Sequence, residues 1–289
     1  MKTCKSLLLF LGFVSASLMA ATAAAAPTLT FKFTEVSVPG ALATDPGGVN
    51  NSGTIVGEYE DKKNIAHCFM LADGKVTTIN HPKAASDTCI HINSAGAIVG
   101  AATNSAGVPK GFLYQNGKFT DIPGPSGAAA SAANGINDSG LIVGDYADSS
   151  GVYHGFLLKG RTYKTLDVPG AGFTMATGIN NTGDIVLFWI KSAAVESSLY
   201  NGKTYRTINV PGAANSEALD INNAGDIVYD TFDSSGQSQG ALFHSGKYYT
   251  FDYPKSADTG GFGINDHKLL VGFYETTNNG PDRGFKAAY

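Results

Sequence analysis

Three side chains of this sequence suit acid–base chemistry: His91, Asp220 and Glu217. Histidine changes its protonation state near neutral pH, and a carboxylate beside it can orient the ring or share proton transfer. His91 and Asp220 each stand where four other copies of a repeated segment begin with glycine. Held close together, such groups would suit an enzyme that cleaves polysaccharide, either a lyase or a glycoside hydrolase. In the alternative, each side chain fills space between neighbouring elements and is hydrogen-bonded locally.

A second candidate set surrounds the only tryptophan, Trp189. It lies in the segment FWIKSAAVE at 188–196, where other copies carry a polar loop, and Lys191 follows it. An exposed tryptophan offers a large apolar face at little entropic cost, which suits stacking on a sugar ring. Phe173, in another segment that differs among the copies, extends this candidate ligand-binding surface. The alternative is a buried Trp189 that fills an irregular unit.

Other chemistries leave no convincing pattern in the sequence. His67 and His154 occupy the same position in two copies, but Lys110 replaces them in the copy between, and no paired-Cys or His-x-x-x-His spacing is present, so we predict no metal site and no cofactor. The segments DYADSSG and DTFDSSG lack the ligand spacing of a calcium loop, which favours solvated turns. Nucleophile elbows and phosphate-binding loops are also absent from the sequence.

The candidate residues are positioned by a ten-residue segment that occurs six times. The copies are GVNNSGTIVG from Gly48, HINSAGAIVG from His91, GINDSGLIVG from Gly135, GINNTGDIVL from Gly178, DINNAGDIVY from Asp220 and GINDHKLLVG from Gly263. Successive copies start 43, 44, 43, 42 and 43 residues apart. Spacing this regular indicates one structural unit for each copy.

Each unit has the pattern of four short strands. The repeated segment forms a hairpin, a polar loop leads to a third apolar stretch such as GFLY at 111–114, and a glycine turn leads to a fourth such as GKFTDIPGP. The sixth unit stops after its third strand, and FKFTEVSVPGA at 31–41 matches the fourth-strand segment KTLDVPGA at 164–171. We therefore predict an all-β fold, a six-bladed β-propeller of four-stranded blades whose last blade is closed by the N-terminal strand.

One asparagine recurs in every copy of the segment. The six are Asn50, Asn93, Asn137, Asn180, Asn222 and Asn265. An asparagine that starts a tight turn accepts a hydrogen bond from the backbone two residues on, and the glycine three residues later takes a positive φ. Lys268 replaces that glycine in the last copy. We interpret these asparagines as structural rather than as a ring of ligands.

The repeat resembles that of the HAF-family probable extracellular repeat proteins. Their pattern runs GINxxGxIVG, a polar segment, and then histidine, a small residue and phenylalanine; His154-Gly155-Phe156 and His67-Cys68-Phe69 carry the last element here. The resemblance covers residues 31 to 289. It implies export and a repeat architecture, and it implies no established activity and no catalytic residue.

Residues 1–26 have the features of a secretory signal peptide: Lys2 and Lys5, an apolar run too short to span a bilayer, and an alanine-rich cleavage region. We expect residues 27–289 to form a single domain, secreted or periplasmic, with no membrane span. In that oxidising setting Cys68 and Cys89 either form a disulfide or remain two buried thiols in neighbouring strands.

A net charge of −4 without a cluster of basic residues argues against binding to nucleic acid or to anionic membranes. We expect a monomeric binding module for an extracellular carbohydrate or surface polymer. The alternatives are an enzyme at the mouth of the axial channel, and a structural module that interacts with extracellular protein.

Overall fold

The computed structural model describes residues 29–278 and 280–289. The predicted signal peptide, residues 1–26, lies outside the described residues. Within the part of the chain that is described, no helix is long and apolar enough to cross a membrane.

Six antiparallel four-stranded sheets form the blades of a β-propeller. Blade 1 contains β2 (Ala43–Val49), β3 (Ile55–Glu60), β4 (Ala66–Ala72) and β5 (Lys75–Ile79); blade 2 contains β6 (Ser86–Ile92), β7 (Ile98–Thr103), β8 (Pro109–Gln115) and β9 (Lys118–Ile122); blade 3 contains β10 (Ala130–Ile136), β11 (Ile142–Ala147), β12 (Tyr153–Lys159) and β13 (Thr162–Leu166). Blade 4 contains β14 (Phe173–Ile179), β15 (Ile185–Lys191), β16 (Ala194–Tyr200) and β17 (Tyr205–Thr207); blade 5 contains β18 (Asn215–Ile221), β19 (Ile227–Phe232), β20 (Ser238–His244) and β21 (Lys247–Phe251); blade 6 contains β22 (Asp258–Ile264), β23 (Leu269–Glu275), β24 (Arg283–Ala288) and β1 (Lys32–Val36).

The N-terminal strand closes the last blade, as the sequence predicts. In blade 6 the strand order is β1-β24-β23-β22, so the two ends of the chain share one sheet. Phe33 of β1 packs edge-on against Phe285 of β24 with ring centroids 5.2 Å apart, and Val36 is buried. Closure therefore adds apolar contacts as well as a ladder of backbone hydrogen bonds.

The hydrophobic core lies between blades rather than inside one sheet. One cluster joins Val56 and Cys68 of blade 1 to Ile98 and Phe112 of blade 2. The repeated Ile-Val pair of the second strands supplies this core because its members are fully or almost fully buried, as at Ile98 and Val99. A disulfide between Cys68 of β4 and Cys89 of β6, with Cα atoms 5.1 Å apart, crosses the same boundary.

Each inner strand carries a β-bulge just before the repeated segment begins. In blade 2 the register shifts between Cys89 and His91, and in blade 5 it shifts between Ala218 and Asp220. A bulge inserts one unpaired residue and changes the direction of the side chain that follows. The two irregular positions of the repeat therefore lie where the fold redirects side chains on the innermost strands.

Candidate functional site

Every inner strand ends in a turn that an asparagine side chain organises. In blade 2, Oδ1 of Asn93 accepts hydrogen bonds from the backbone N–H groups of Ala95 (3.1 Å) and Ala97 (2.9 Å). Gly96 has φ of 78°, a left-handed conformation that glycine adopts without strain. Lys268 takes φ of 59° at the equivalent place in blade 6, at a cost on the order of 1 kcal/mol.

The same asparagines join all six blades in a closed ring, because each amide Nδ2 donates to the backbone carbonyl of the next asparagine. The distances are 3.2 Å from Asn50 to Asn93, 3.1 Å from Asn93 to Asn137, 3.0 Å from Asn137 to Asn180, 3.3 Å from Asn180 to Asn222, 3.1 Å from Asn222 to Asn265 and 2.9 Å from Asn265 to Asn50. All six side chains are buried. The repeated asparagine thus closes the ring of blades as well as its own turn.

The residue after each ring asparagine forms a second circle, nearer to solvent, which we call the mouth ring. Its members are Asn51, Ser94, Asp138, Asn181, Asn223 and Asp266. Neighbours bond to one another: Nδ2 of Asn181 donates to Asp138 at 2.7 Å, and Nδ2 of Asn223 donates to Asp266 at 2.8 Å. The two carboxylates belong to blades 3 and 6, which lie opposite each other. Sequence reasoning did not single them out, although both follow the repeated asparagine directly.

Below the two rings the inner strands approach so closely that a side chain is excluded in most blades. A Cβ atom on Gly178 would lie 2.8 Å from the Cα of Asp220, and one on Gly263 would lie 2.6 Å from the carbonyl oxygen of Gly47. Contacts this short require the neighbouring backbone to move. The glycine that opens the repeated segment is therefore needed for this close approach.

The two copies without that glycine meet at the axis. Nε2 of His91 in blade 2 lies 3.3 Å from Oδ2 of Asp220 in the opposite blade 5. Asp220 also accepts hydrogen bonds from the N–H groups of Ile221 (2.8 Å) and Ile264 (2.9 Å), and the N–H of Ile136 donates to Nδ1 of His91 at 3.4 Å. The pair thus connects blades 2, 3, 5 and 6 across the centre, and it does not merely fill a gap between neighbours.

Asp220 raises the pKa of the His91 imidazole. Burial on its own would lower the pKa of His91, but the charge and hydrogen bond of Asp220, together with the more distant charge of Asp138, outweigh it and raise that pKa. The His91 side chain is 12% exposed and that of Asp220 only 2%. His91 is therefore the member that a ligand at the mouth can reach.

A small cavity of about 50 Å³, partly open to solvent, lies on the axis at this end. Its wall is the mouth ring and the asparagine ring, and His91 contributes to its lining. The lining groups are amides, carboxylates, one hydroxyl and an imidazole, with isoleucine and valine side chains behind them. Chemically, this cavity can donate and accept several hydrogen bonds and can offer one histidine for proton transfer.

Glu217 is not brought to this cavity. It pairs with Asp230 across β18 and β19, three residues before Asp220, and does not line the cavity. Its side chain is 6% exposed, and Oε1 has no hydrogen-bond partner among the described residues. Burial, and secondly the charge of Asp230, raise the pKa of Glu217 well above its usual value. Of the three acid–base candidates, the structure joins only His91 and Asp220.

The aromatic candidates lie at the opposite end of the molecule, on the loop face, which is formed by the loops between second and third strands and the connections between blades. Trp189 is 7% exposed on β15 and donates from Nε1 to Oγ of Ser198 at 3.0 Å, so the buried alternative describes it. Phe173 is half-buried and stacks on Phe188 with centroids 5.9 Å apart. Lys191 is exposed. Phe173 and Lys191 are therefore accessible to a ligand on that face, whereas the ring of Trp189 is not.

The repeated histidines hold loops in place. Nδ1 of His154 lies 3.0 Å from Oδ2 of Asp167, and its Nε2 lies 3.5 Å from Oδ2 of Asp148. His67 bridges Asp61 and Asn80 in the same way, both at 3.3 Å. The other oxygen of Asp148 accepts two backbone N–H groups of its loop, which identifies DYADSSG as an Asx turn. No group of three or more His, Cys, Asp or Glu residues suited to a metal ion occurs in the described part of the chain.

Comparison with known proteins supports the fold. No family model and no curated protein matches the sequence. Among solved structures, selenomethionine-substituted virginiamycin B lyase from Staphylococcus aureus is similar with a TM-score of 0.55 at 12% identity, over 90% of this chain and 100% of that chain. TolB from Acinetobacter baumannii has a TM-score of 0.58 at 14% identity, over 81% and 63% of the two chains.

The β-propeller domain of the Trilobed protease from Pyrococcus furiosus has a TM-score of 0.54 at 12% identity, over 85% of this chain and 81% of that chain. At these identities the likeness establishes the β-propeller architecture and carries no activity over, because one fold hosts many unrelated functions.

Proposed function

We propose that the protein is an exported β-propeller that binds a carbohydrate at the axial cavity. The observation that carries this proposal is the convergence of polar side chains from all six blades on one solvent-accessible cavity. Sugar hydroxyls each donate and accept, so they pair well with a wall of amides, carboxylates and hydroxyls. The predicted stacking on Trp189 is not part of this proposal, because that ring is buried.

The mouth ring retains capacity for a ligand. Asn181 uses one N–H toward Asp138, and its Oδ1 accepts the backbone N–H of Asp138 at 2.9 Å. An amide has two N–H donors and two acceptor lone pairs, so a second N–H and a second lone pair are available for hydroxyl groups. The bonds already present hold the side chain in place, which lowers the entropy that binding must remove.

Export is supported by three features. The leader-like residues 1–26 and the resemblance to the HAF-family repeat both point to secretion. The disulfide between Cys68 and Cys89 fits an extracellular or periplasmic setting, where such bonds persist.

Two identical turns of blade 2 supply the test. The sequence NSAG occurs at 93–96 on the cavity face and at 104–107 on the loop face. Ser94 and Ser105 are both exposed, so tryptophan at either position should leave the fold intact. On a glycan array we expect Ser94→Trp to block the cavity and remove the wild-type signals, while Ser105→Trp retains them. Equal signals from both variants, or no glycan signal from the wild type, would refute carbohydrate binding at this site.

The pairing of His91 with Asp220 favours one second candidate, catalysis on the bound polysaccharide. The carboxylate can orient the imidazole through Nε2, which leaves Nδ1, approached by the N–H of Ile136 at 3.4 Å, as the nitrogen for proton transfer. Product formation from array-positive polysaccharides would be compared between wild type and His91→Gln. Loss of turnover with retained binding would support the enzyme, and absence of turnover in the wild type would leave binding as the function.

A further inference from the structure

A ring of positive charge surrounds the cavity face. Each blade carries one basic residue at the turn into its outermost strand, and all six are exposed. They are Lys75, Lys118, Arg161, Lys203, Lys247 and, at the start of β1, Lys32. We call them the rim cations. None of the six forms an ion pair with another described residue, so their charges are available to a partner.

Strand direction places the rim cations on the same face as the cavity. In blade 1, Val49 at the end of β2 pairs with Ile55, and Ile55 pairs with Leu71 near the end of β4. Lys75 begins β5 directly opposite Ala72. The asparagine turn and the turn that carries the cation are therefore at the same end of the blade. Because the six blades repeat this arrangement, one rim cation lies at the outer edge of each blade on the cavity face.

Negative charge on this face is concentrated at the centre. Asp138 and Asp266 lie in the mouth ring, Asp184 lies in the asparagine turn of blade 4, and Asp226 pairs with His244 at 2.8 Å. At the periphery, Asp73 stands two residues before Lys75. Most other acidic residues belong to the loop face; examples there are Asp61, Asp148, Asp167, Asp233 and Asp252. The propeller thus separates charge along its axis although its net charge is only −4.

We propose that the carbohydrate bound at the cavity is an acidic polysaccharide whose carboxylate or sulfate groups contact the rim cations. This inference rests on the proposed function and names its ligand class. A chain with one unit over the mouth of the cavity must extend across the rim in two directions, so its neighbouring units meet the rim cations there. Its hydroxyl groups can lie over the centre, where Asp138 and Asp266 would repel an anion.

A planar anionic lipid surface fits less well. It would bring negative charge against the two central carboxylates as well as the rim. The exposed large hydrophobic side chains among the described residues, Leu42, Val108 and Val152, are in loops of the opposite face, so none is available to enter a bilayer from the cavity face.

The test uses two polymers of the same sugar, polygalacturonate and its fully methyl-esterified neutral form. The rim variant replaces Lys75, Lys118, Lys203 and Lys247 with glutamine. The matched control replaces four exposed loop-face lysines, Lys62, Lys63, Lys83 and Lys255, so both variants change the net charge equally. Binding is measured by calorimetry at about 20 mM and about 200 mM salt, where the Debye length falls from roughly 20 to roughly 7 Å.

We expect the wild type to bind polygalacturonate at least tenfold more tightly than the neutral polymer at low salt, and this advantage to shrink at high salt. The rim variant should lose about tenfold in affinity for polygalacturonate and keep its affinity for the neutral polymer. The control variant should lose less than twofold in affinity for either polymer. Equal loss in both variants, or equal affinity for the two polymers, would overturn the inference while leaving carbohydrate binding intact. Binding to anionic vesicles without binding to polygalacturonate would also overturn it. If Ser94→Trp does not weaken binding of the neutral polymer, the result would instead contradict the cavity site itself.

Discussion

The two NSAG turns of blade 2 isolate what the asparagine ring contributes to stability. In both, the asparagine Oδ1 accepts N–H groups two and four residues on: at 3.1 and 2.9 Å for Asn93, and at 2.9 and 3.1 Å for Asn104. Their glycines also match, with φ of 78° at Gly96 and 79° at Gly107. Only Asn93 is buried and donates to the neighbouring blade, through the carbonyl of Asn137 at 3.1 Å.

Replacement of Asn93 by alanine leaves the buried N–H of Ala97 without its partner and removes one of the two hydrogen bonds to the carbonyl of Asn137, which also accepts the N–H of Gly140 at 3.0 Å. The unpartnered N–H costs about 1–3 kcal/mol and the lost bond between blades about 1 kcal/mol, so the expected loss is about 3 kcal/mol. Asn104→Ala exposes its two N–H groups to water, which replaces the lost bonds at a cost of at most about 1 kcal/mol. The predicted difference between the two variants is about 2 kcal/mol.

Urea unfolding measures this difference directly, with the fluorescence of the single buried Trp189 as a probe in blade 4 and circular dichroism for the whole sheet. A loss of about 3 kcal/mol for Asn93→Ala corresponds to roughly 6–12 °C in the thermal midpoint. If the two alanine variants lose equal stability, the bonds between blades contribute nothing and the ring is only a by-product of six similar turns.

Three further outcomes are expected. Asp87 is buried, its Oδ1 has no partner, and burial raises its pKa from 3.8 to about 6. Thr or Ser stands at this position in the other blades, so Asp87→Thr should add about 3 kcal/mol to the free energy of unfolding above pH 6. The gain should vanish below about pH 4, where the unfolded carboxyl is also protonated, and a gain that persists in urea unfolding at pH 3 would contradict this cause. Double replacement of Cys68 and Cys89 by serine should lower the free energy of unfolding by about 3 kcal/mol, because the disulfide closes a loop of 21 residues. Urea midpoints measured with and without reductant check this, and a wild-type midpoint that does not change with reductant would contradict it. Deletion of β1 should abolish cooperative unfolding, since β24 would become an exposed edge, and an unchanged thermal midpoint would contradict closure by this strand.

The blade count and the closure of the ring were predictable because the repeat itself encodes them. Six copies at nearly constant spacing fix the number of blades, and the match between residues 31–41 and 164–171 identifies the strand that closes the last one. The position of His91 and Asp220 in opposite blades followed from the same periodicity, since copies two and five lie opposite in a ring of six. Their contact at 3.3 Å needed the structure, because the sequence does not show that a bulge redirects both side chains.

Other features could not be seen in the sequence. The rim cations are about one repeat apart, so no basic cluster appears along the chain, and only the fold gathers them on one face. Glu217 precedes Asp220 by three residues, yet strand alternation turns its side chain toward Asp230 instead of the cavity. In blade 4 the second strand, β15, continues to Lys191 and only two residues separate it from β16, where the other blades have a longer polar loop. Trp189 therefore lies within a strand, and its ring is buried.

The most direct test of ligand binding at the axis is nitrogen NMR of the histidine rings during titration with the glycan that gives the strongest array signal. His91 lies at the cavity and His154 on the loop face, so the two report on opposite ends of the propeller. We predict that the ring resonances of His91 shift in proportion to bound ligand while those of His154 stay unchanged. A shift at His154 without one at His91 would contradict the axial site.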